Sequence, residues 1–177
     1  MKEVLDTELQ LFLRSILPDE DAVQTELREY ADAHHISVVD PEVGYLLHVL
    51  TGLVKPQNVL EIGTAIGCSG IYIARAMNGG KLTTIELTEE RHNMALEYFR
   101  RAGVADNIQA ICGDAREIVP QLTEQYDMIF MDAAKGQYIH FMPDVLRLLK
   151  ESDVDILVYE PFWKDIRHCF EESYDFE

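Results

Sequence analysis

Over the first 35 positions, apolar residues recur at three- and four-residue steps, which predicts helices. Leu5, Leu9, Phe12, Leu13, Ile16 and Leu17 make one such face. Pro18 stops that helix, and Asp19 to Asp21 can cap the next. The second helix runs from Ala22 to about His35, with Val23, Leu27, Tyr30 and Ala31 on one side. Asp40-Pro41-Glu42 opens a third, whose apolar side is Val43, Leu46, Leu47, Leu50 and Leu53. From Asn58 the pattern changes. Short apolar runs at 58–62, 81–86, 108–112, 126–131 and 156–159 read as strands. Between them lie helical stretches at 69–77, 89–102, 116–125 and 138–150. The alternation implies an α/β fold: a mostly parallel sheet with helices on both faces, preceded by N-terminal helices. The chain divides into helices at 1–57, a strand-and-helix core at 58–150 and an atypical stretch at 151–177. All three belong to one domain, as 177 residues suggest.

Composition narrows the picture. No apolar run approaches the roughly 20 residues that span a bilayer, and the N-terminus lacks the pattern of a signal peptide. A cytoplasmic location is the expectation. Cys68, Cys112 and Cys169 form no metal-binding or disulfide pattern. The formal charge is −17, with 32 acids against 15 bases. Such a surface repels polyanions at long range. Residues 151–177 hold nine acids and two bases, so they contribute −7 of that total.

The candidate chemistry sits where strands end, as ligand sites do in open α/β sheets. Glu61 precedes the loop Gly63-Thr64-Ala65-Ile66-Gly67. Its glycines let backbone approach a ligand, but the spacing is not that of dinucleotide sites. A carboxylate there opposes a pyrophosphate and suits an ammonium group, such as that of S-adenosylmethionine. Glu86 closes the second strand and can accept from both ribose hydroxyls. Asp114 follows the third strand and could meet an adenine amino group, with Ala115 against the ring. Asp132 and Lys135 follow the fourth: an oxygen ligand for a hard cation, and an amine that can take a proton. The plainer readings are a structural turn, a helix cap at Asp132 and a solvated lysine at Lys135. Tyr138 and Phe141 read as packing, and His34, His35, His140 and His168 as surface or core histidines.

These segments resemble the class I, S-adenosylmethionine-dependent O-methyltransferases, and more narrowly the metal-dependent catechol and caffeoyl-CoA type. The matching stretches are Asp40 to Gly44, Val59 to Gly67, Thr84 to Glu86, Ala102 to Val104, Gly113 to Ala115 and Met131 to Tyr138. The wording Asp-Ala-Ala-Lys-Gly-Gln-Tyr is most similar to a bacterial subgroup that methylates 5-hydroxyuridine at the tRNA wobble position. The resemblance covers roughly residues 20 to 150. It implies a Rossmann-like doubly wound fold. It also implies that Val39, Glu61, Gly63, Ser69, Glu86, Ala115 and Asp132 line the cofactor site. Asp132 would ligate Mg²⁺ and Lys135 would be the general base.

After Lys150 the chain departs from that pattern. The family's glycine turn and Asp-Asn metal ligands are missing, and Val158-Tyr159-Glu160-Pro161 stands in their place. Glu160 is the candidate second metal ligand. A frameshifted or truncated tail is the expectation, with the family's final antiparallel strands missing. The fifth strand would then be a bare edge, and such edges pair with other chains, so a homodimer with weak metal affinity is expected. Three functions compete. The first is methyl transfer to tRNA or to a small catechol-like diol, with the tRNA reading preferred. The second is cofactor binding without activity. The third is a nucleotide-dependent oxidoreductase on the same sheet.

Overall fold

The computed structural model describes residues 7–133, 138–150 and 156–158. Three helices come first: α1 (Thr7–Ile16), α2 (Ala22–Ala33) and α3 (Pro41–Val54). Then β1 (Asn58–Ile62), α4 (Cys68–Ala76), β2 (Lys81–Glu86), α5 (Glu89–Arg101) and β3 (Ile108–Cys112) alternate. The short α6 (Ala115–Ile118), β4 (Met128–Met131), α7 (Tyr138–Leu148) and β5 (Ile156–Val158) complete the described elements. The sheet is five-stranded in the order β3-β2-β1-β4-β5, and every pairing is parallel.

Strand periodicity splits the interior into two cores, because alternate residues face opposite sides of the sheet. Val59, Leu82, Met128 and Phe130 pack under α2, α3, α4 and α5. Leu60, Ile62, Ile85, Ile129 and Met131 pack under α7 and the turn at Val119. Both faces of the sheet are therefore covered, which is the doubly wound arrangement. Among the described residues, β3 and β5 are the edges.

Three expectations need correction. The predicted apolar side of α3 is only partly inward: Gly44, Leu47 and Thr51 are buried, while Leu46 and Leu53 are 50% and 74% exposed. The cause is Gly44. A Cβ there would sit 2.6 Å from Cδ2 of Tyr72, so α3 lies against α4 along its glycine. The helix predicted over 116–125 is shorter, because Pro120 lies in a 3₁₀ turn over Val119–Gln121 that follows α6. The predicted face of α1 is largely uncovered, with Leu9, Phe12 and Ile16 exposed. Arg14 fastens that helix to the start of α3, 3.5 Å from Asp40 and 2.9 Å from Glu42.

Local signals fix the helix starts and stops. Asp21 caps α2 in a capping box with Gln24: its carboxylate accepts from the Gln24 N–H at 2.9 Å. Asp21→Ala is expected to lower stability by about 1 kcal/mol, seen as a lower urea midpoint at unchanged slope. An unmoved midpoint would contradict the cap's role. Cys68 is buried, which pushes its thiol up to about 12, and Cys112 is exposed; neither is in a disulfide.

Candidate functional site

The parallel sheet points the carboxyl ends of β1, β2, β3 and β4 at one cleft of about 1130 Å³. Its floor is Ile62 to Ala65, Ile85 to Thr88, Gly113 to Arg116, and Asp132 with Ala133. One wall is the segment from Ile36 to Pro41 between α2 and α3. Of the candidate residues, Val39, Gly63, Ser69, Glu86, Asp114, Ala115 and Asp132 all line it. Lys135 and Glu160 lie outside the described residues.

Glu61 does not line the cleft. It is fully buried one step behind the wall, on the side of the sheet that faces α4. One oxygen accepts from the Ser69 hydroxyl at 2.5 Å, and the other from the Thr84 hydroxyl at 2.6 Å. Thr64 Oγ1 stands 2.5 Å from Thr84 Oγ1, extending the chain of hydroxyls back to the loop. Burial pushes the Glu61 carboxyl up to about 7; the two hydroxyls pull it down and the charges of Asp132 and Glu86 raise it. Glu61 therefore orients the hydroxyl of Ser69, itself a cleft-lining residue.

Glu86 is fixed by backbone. One oxygen accepts from the Ala65 N–H at 2.8 Å and the other from the Thr88 N–H at 3.0 Å. A carboxylate oxygen has a lone pair to spare after one bond, so Glu86 stays able to accept from a diol in the cleft. Ala65 reaches this position at φ 46°, and Gly63 and Gly67 also have positive φ. The Gly63 and Thr64 N–H groups both bond Ile85 O, at 3.0 and 3.2 Å. The loop is thereby laid across the end of β2.

Asp114 caps α6, and both its oxygens are engaged by Arg116, with Nε at 3.0–3.1 Å and Nη2 at 2.5 Å. This pair holds the carboxyl below its usual range. A base in the cleft would meet a preformed ion pair here and not a bare acid. Tyr138 and Phe141 are buried, as expected of packing residues, yet both also line the cleft.

The cleft is not as acidic as the whole chain. Arg14, Arg28, Arg91 and Arg116 line it beside Asp32, Asp40, Glu86, Asp114 and Asp132. None of these arginines carries a motif; Arg14, Arg28 and Arg91 are placed by how α1, α2 and α5 pack, and Arg116 by its pairing with Asp114. Oxygen donors for a divalent ion are fewer. Among the described residues no group of three or more acids, histidines or cysteines is placed to hold a metal. Of the two candidate metal ligands only Asp132 is among the described residues, and Mg²⁺ is commonly held by one or two carboxylates with water in its other positions.

A parallel sheet with a glycine loop after β1 and carboxylates after β2, β3 and β4 defines a Rossmann-like, cofactor-binding α/β protein. A family model described as O-methyltransferase matches residues 15–165. The chain belongs to the O-methyltransferase family. The match runs past Lys150 into the acidic stretch, further than the motifs alone reach. Catechol O-methyltransferase of Niastella koreensis is 35% identical over 136 residues, which is 73% of this chain and 62% of that protein. Caffeoyl-CoA O-methyltransferase 1 of Eucalyptus globulus is 32% identical over 144 residues, or 77% of this chain and 58% of that protein. The chain thus spans less than two thirds of the length of these curated relatives. The fold is similar to the O-methyltransferase from Bacillus cereus solved in complex with SAH: TM-score 0.82, 26% identity, 94% of this chain and 84% of that one. It is also similar to the O-methyltransferase TomG from Streptomyces achromogenes in complex with SAM: TM-score 0.83, 26% identity, 97% and 86%. No described helix is long and apolar enough to cross a membrane.

Proposed function

We propose that this chain binds S-adenosylmethionine and transfers its methyl group to an oxygen of 5-hydroxyuridine in tRNA. The observation that carries the cofactor reading is Glu86, held by two backbone N–H groups beside a glycine loop, with an acid behind that loop. The cleft offers donors and acceptors for a nucleoside with an amino-acid arm. The glycine spacing after β1 is not that of a dinucleotide site.

Each residue then has a task. Glu86 accepts from the ribose hydroxyls. Gly63 lets the backbone approach the sulfonium end. Ser69, whose hydroxyl hydrogen goes to Glu61, offers its oxygen as an acceptor to the ammonium of the amino-acid arm. The ion pair of Asp114 and Arg116 borders the base, with Ala115 against the ring. Asp132 stands by the methyl donor. Lys135 takes the proton from the acceptor hydroxyl, so the oxygen attacks the methyl carbon and S-adenosylhomocysteine leaves with the sulfur electron pair. A divalent ion would lower the hydroxyl's pKa; Asp132 with Glu160 would have to contribute to holding it. Arg91, which lines the cleft, supports an anionic acceptor despite the net charge of −17. An uncharged catechol-like diol is the second reading, favoured by that same net charge.

The test is a labelled-methyl assay on hypomodified tRNA beside a simple catechol, with and without chelator. Label in tRNA, lost in Lys135→Met by at least about 100-fold, is the expected result. Label in catechol alone would move the acceptor to the second reading. Cofactor binding with no label in either would leave a binding protein.

A further inference from the structure

A buried relay ties the cleft wall at residues 36–41 to α4. The Nε of Arg28, on α2, lies 2.6 and 2.7 Å from the two carboxylate oxygens of Glu20. Its Nη1 donates to the Val39 carbonyl at 2.6 Å. The Tyr72 hydroxyl, on α4, also donates to Glu20. Arg28 and Glu20 are only 16% and 14% exposed, and Tyr72 is 2% exposed. Val39 is itself buried and lines the cleft with Ser69, Gly63 and Asp132.

The wall is held at its two ends by other contacts. The Ile36 N–H bonds Ala31 O at 2.9 Å, and Arg14 pairs with Asp40. Between them, the Val39 carbonyl meets the Arg28 guanidinium, with the Cys68 thiol more distant at 4.0 Å. The relay is poorly explained as a source of stability. Arg28 Nη2 is buried without a hydrogen-bond partner, which is unfavourable. Buried ion pairs often stabilise no more than apolar residues of the same size. What a guanidinium does supply is direction: a planar fork that engages a carboxylate and a carbonyl at once.

We propose that Arg28 is a positioning residue for the amino-acid end of the methyl donor, acting through the Val39 carbonyl. This rests on the cofactor reading above. The Val39 carbonyl lies 4.0 Å from the Cys68 Sγ at the start of α4, beside Ser69, which the reading above gives to the amino-acid arm, whereas Glu86 and Asp114 are given to the ribose and base. A wall that drifts at Val39 loses its fit to the amino-acid arm and leaves the nucleoside pocket intact.

Two ligands separate these regions. S-adenosylhomocysteine carries the arm; 5′-methylthioadenosine has the same nucleoside and lacks it. Calorimetry on the full chain would measure both against Arg28→Lys and Tyr72→Phe. Lysine keeps a charge against Glu20 but cannot fork to Val39, so the buried acid stays paired. Arg28→Lys is expected to weaken S-adenosylhomocysteine roughly tenfold, the effect of one charge-assisted hydrogen bond, and to leave 5′-methylthioadenosine unchanged. Tyr72→Phe is expected to act in the same direction and less. Equal weakening of both ligands, or of neither, would overturn the proposal. Failure of the unaltered chain to bind S-adenosylhomocysteine would instead overturn the cofactor reading and this inference with it.

Discussion

Gly63→Ala is expected to lower stability by about 4 kcal/mol and to abolish cofactor binding, by adding two unfavourable effects of about 2 kcal/mol each. The backbone at Gly63 has φ +105°, where an L side chain is strained. The added Cβ would also collide with the carbonyl oxygen of Asp132, with that carbonyl carbon at 2.8 Å and the Ala133 nitrogen at 3.2 Å. Neither neighbour can turn aside, since both are backbone. The Asp132 N–H is bonded to Ile62 O at 2.9 Å, so retreat would pull apart the ends of β1 and β4. Gly79→Ala is the control. Its φ is +81°, with nothing within 4 Å of the new Cβ, so only the conformational part remains. Urea unfolding of the two variants measures the difference. Equal losses would show that the close approach of the two strand ends contributes nothing.

Glu61→Gln should change the pH dependence of stability. The folded carboxyl titrates at about 7, against an ordinary value of 4.5. Between those values the native state keeps a proton that the unfolded chain has released. The stability this group contributes is therefore complete below pH 4.5 and is lost as pH rises through 7. The shift corresponds to roughly 3 kcal/mol. Glutamine cannot titrate, so the variant should gain about that much relative to the unaltered chain between pH 5 and pH 8. Its amide can still accept from one hydroxyl and donate to the other. Urea midpoints at pH 5, 6, 7 and 8 decide it. Parallel curves would mean that Glu61 is ionised throughout that range.

Much of this architecture is legible in the residues. β1, β2 and β3 lie where their apolar runs place them, because glycines and polar residues bound them sharply. The cleft-lining residues that follow strands were legible for the same reason: in a parallel sheet, the residue after a strand faces the cleft whatever else the chain does. What could not be read depends on packing between elements. The inward side of α3 is set by Gly44 against Tyr72, a contact 28 residues apart in a helix that is apolar nearly all round. Glu61 reads as a ligand from its place before the glycine loop. It stands one layer back because the strand's alternation turns it toward α4 and Ser69. Asp114 reads as a free acid until Arg116, two residues on, is seen folded onto it. Arg28 carries no local signal at all; only the docking of α2 against the wall gives it a role.

The strand order has a kinetic meaning as well. β1 comes first in the chain yet lies at the centre of the sheet, between β2 and β4. Its register with β4 joins Val59 to Met128 and Ile62 to Met131, partners 69 residues apart. Loop closure of that length must precede the contact that rewards it, so this pairing is expected to form later than that of β1 with β2, whose partners are 23 residues apart. The junction of Gly63 with Asp132 is assembled in the same event. Ligand capture by a refolding chain would consequently time the completion of the fold, and not the growth of its secondary structure.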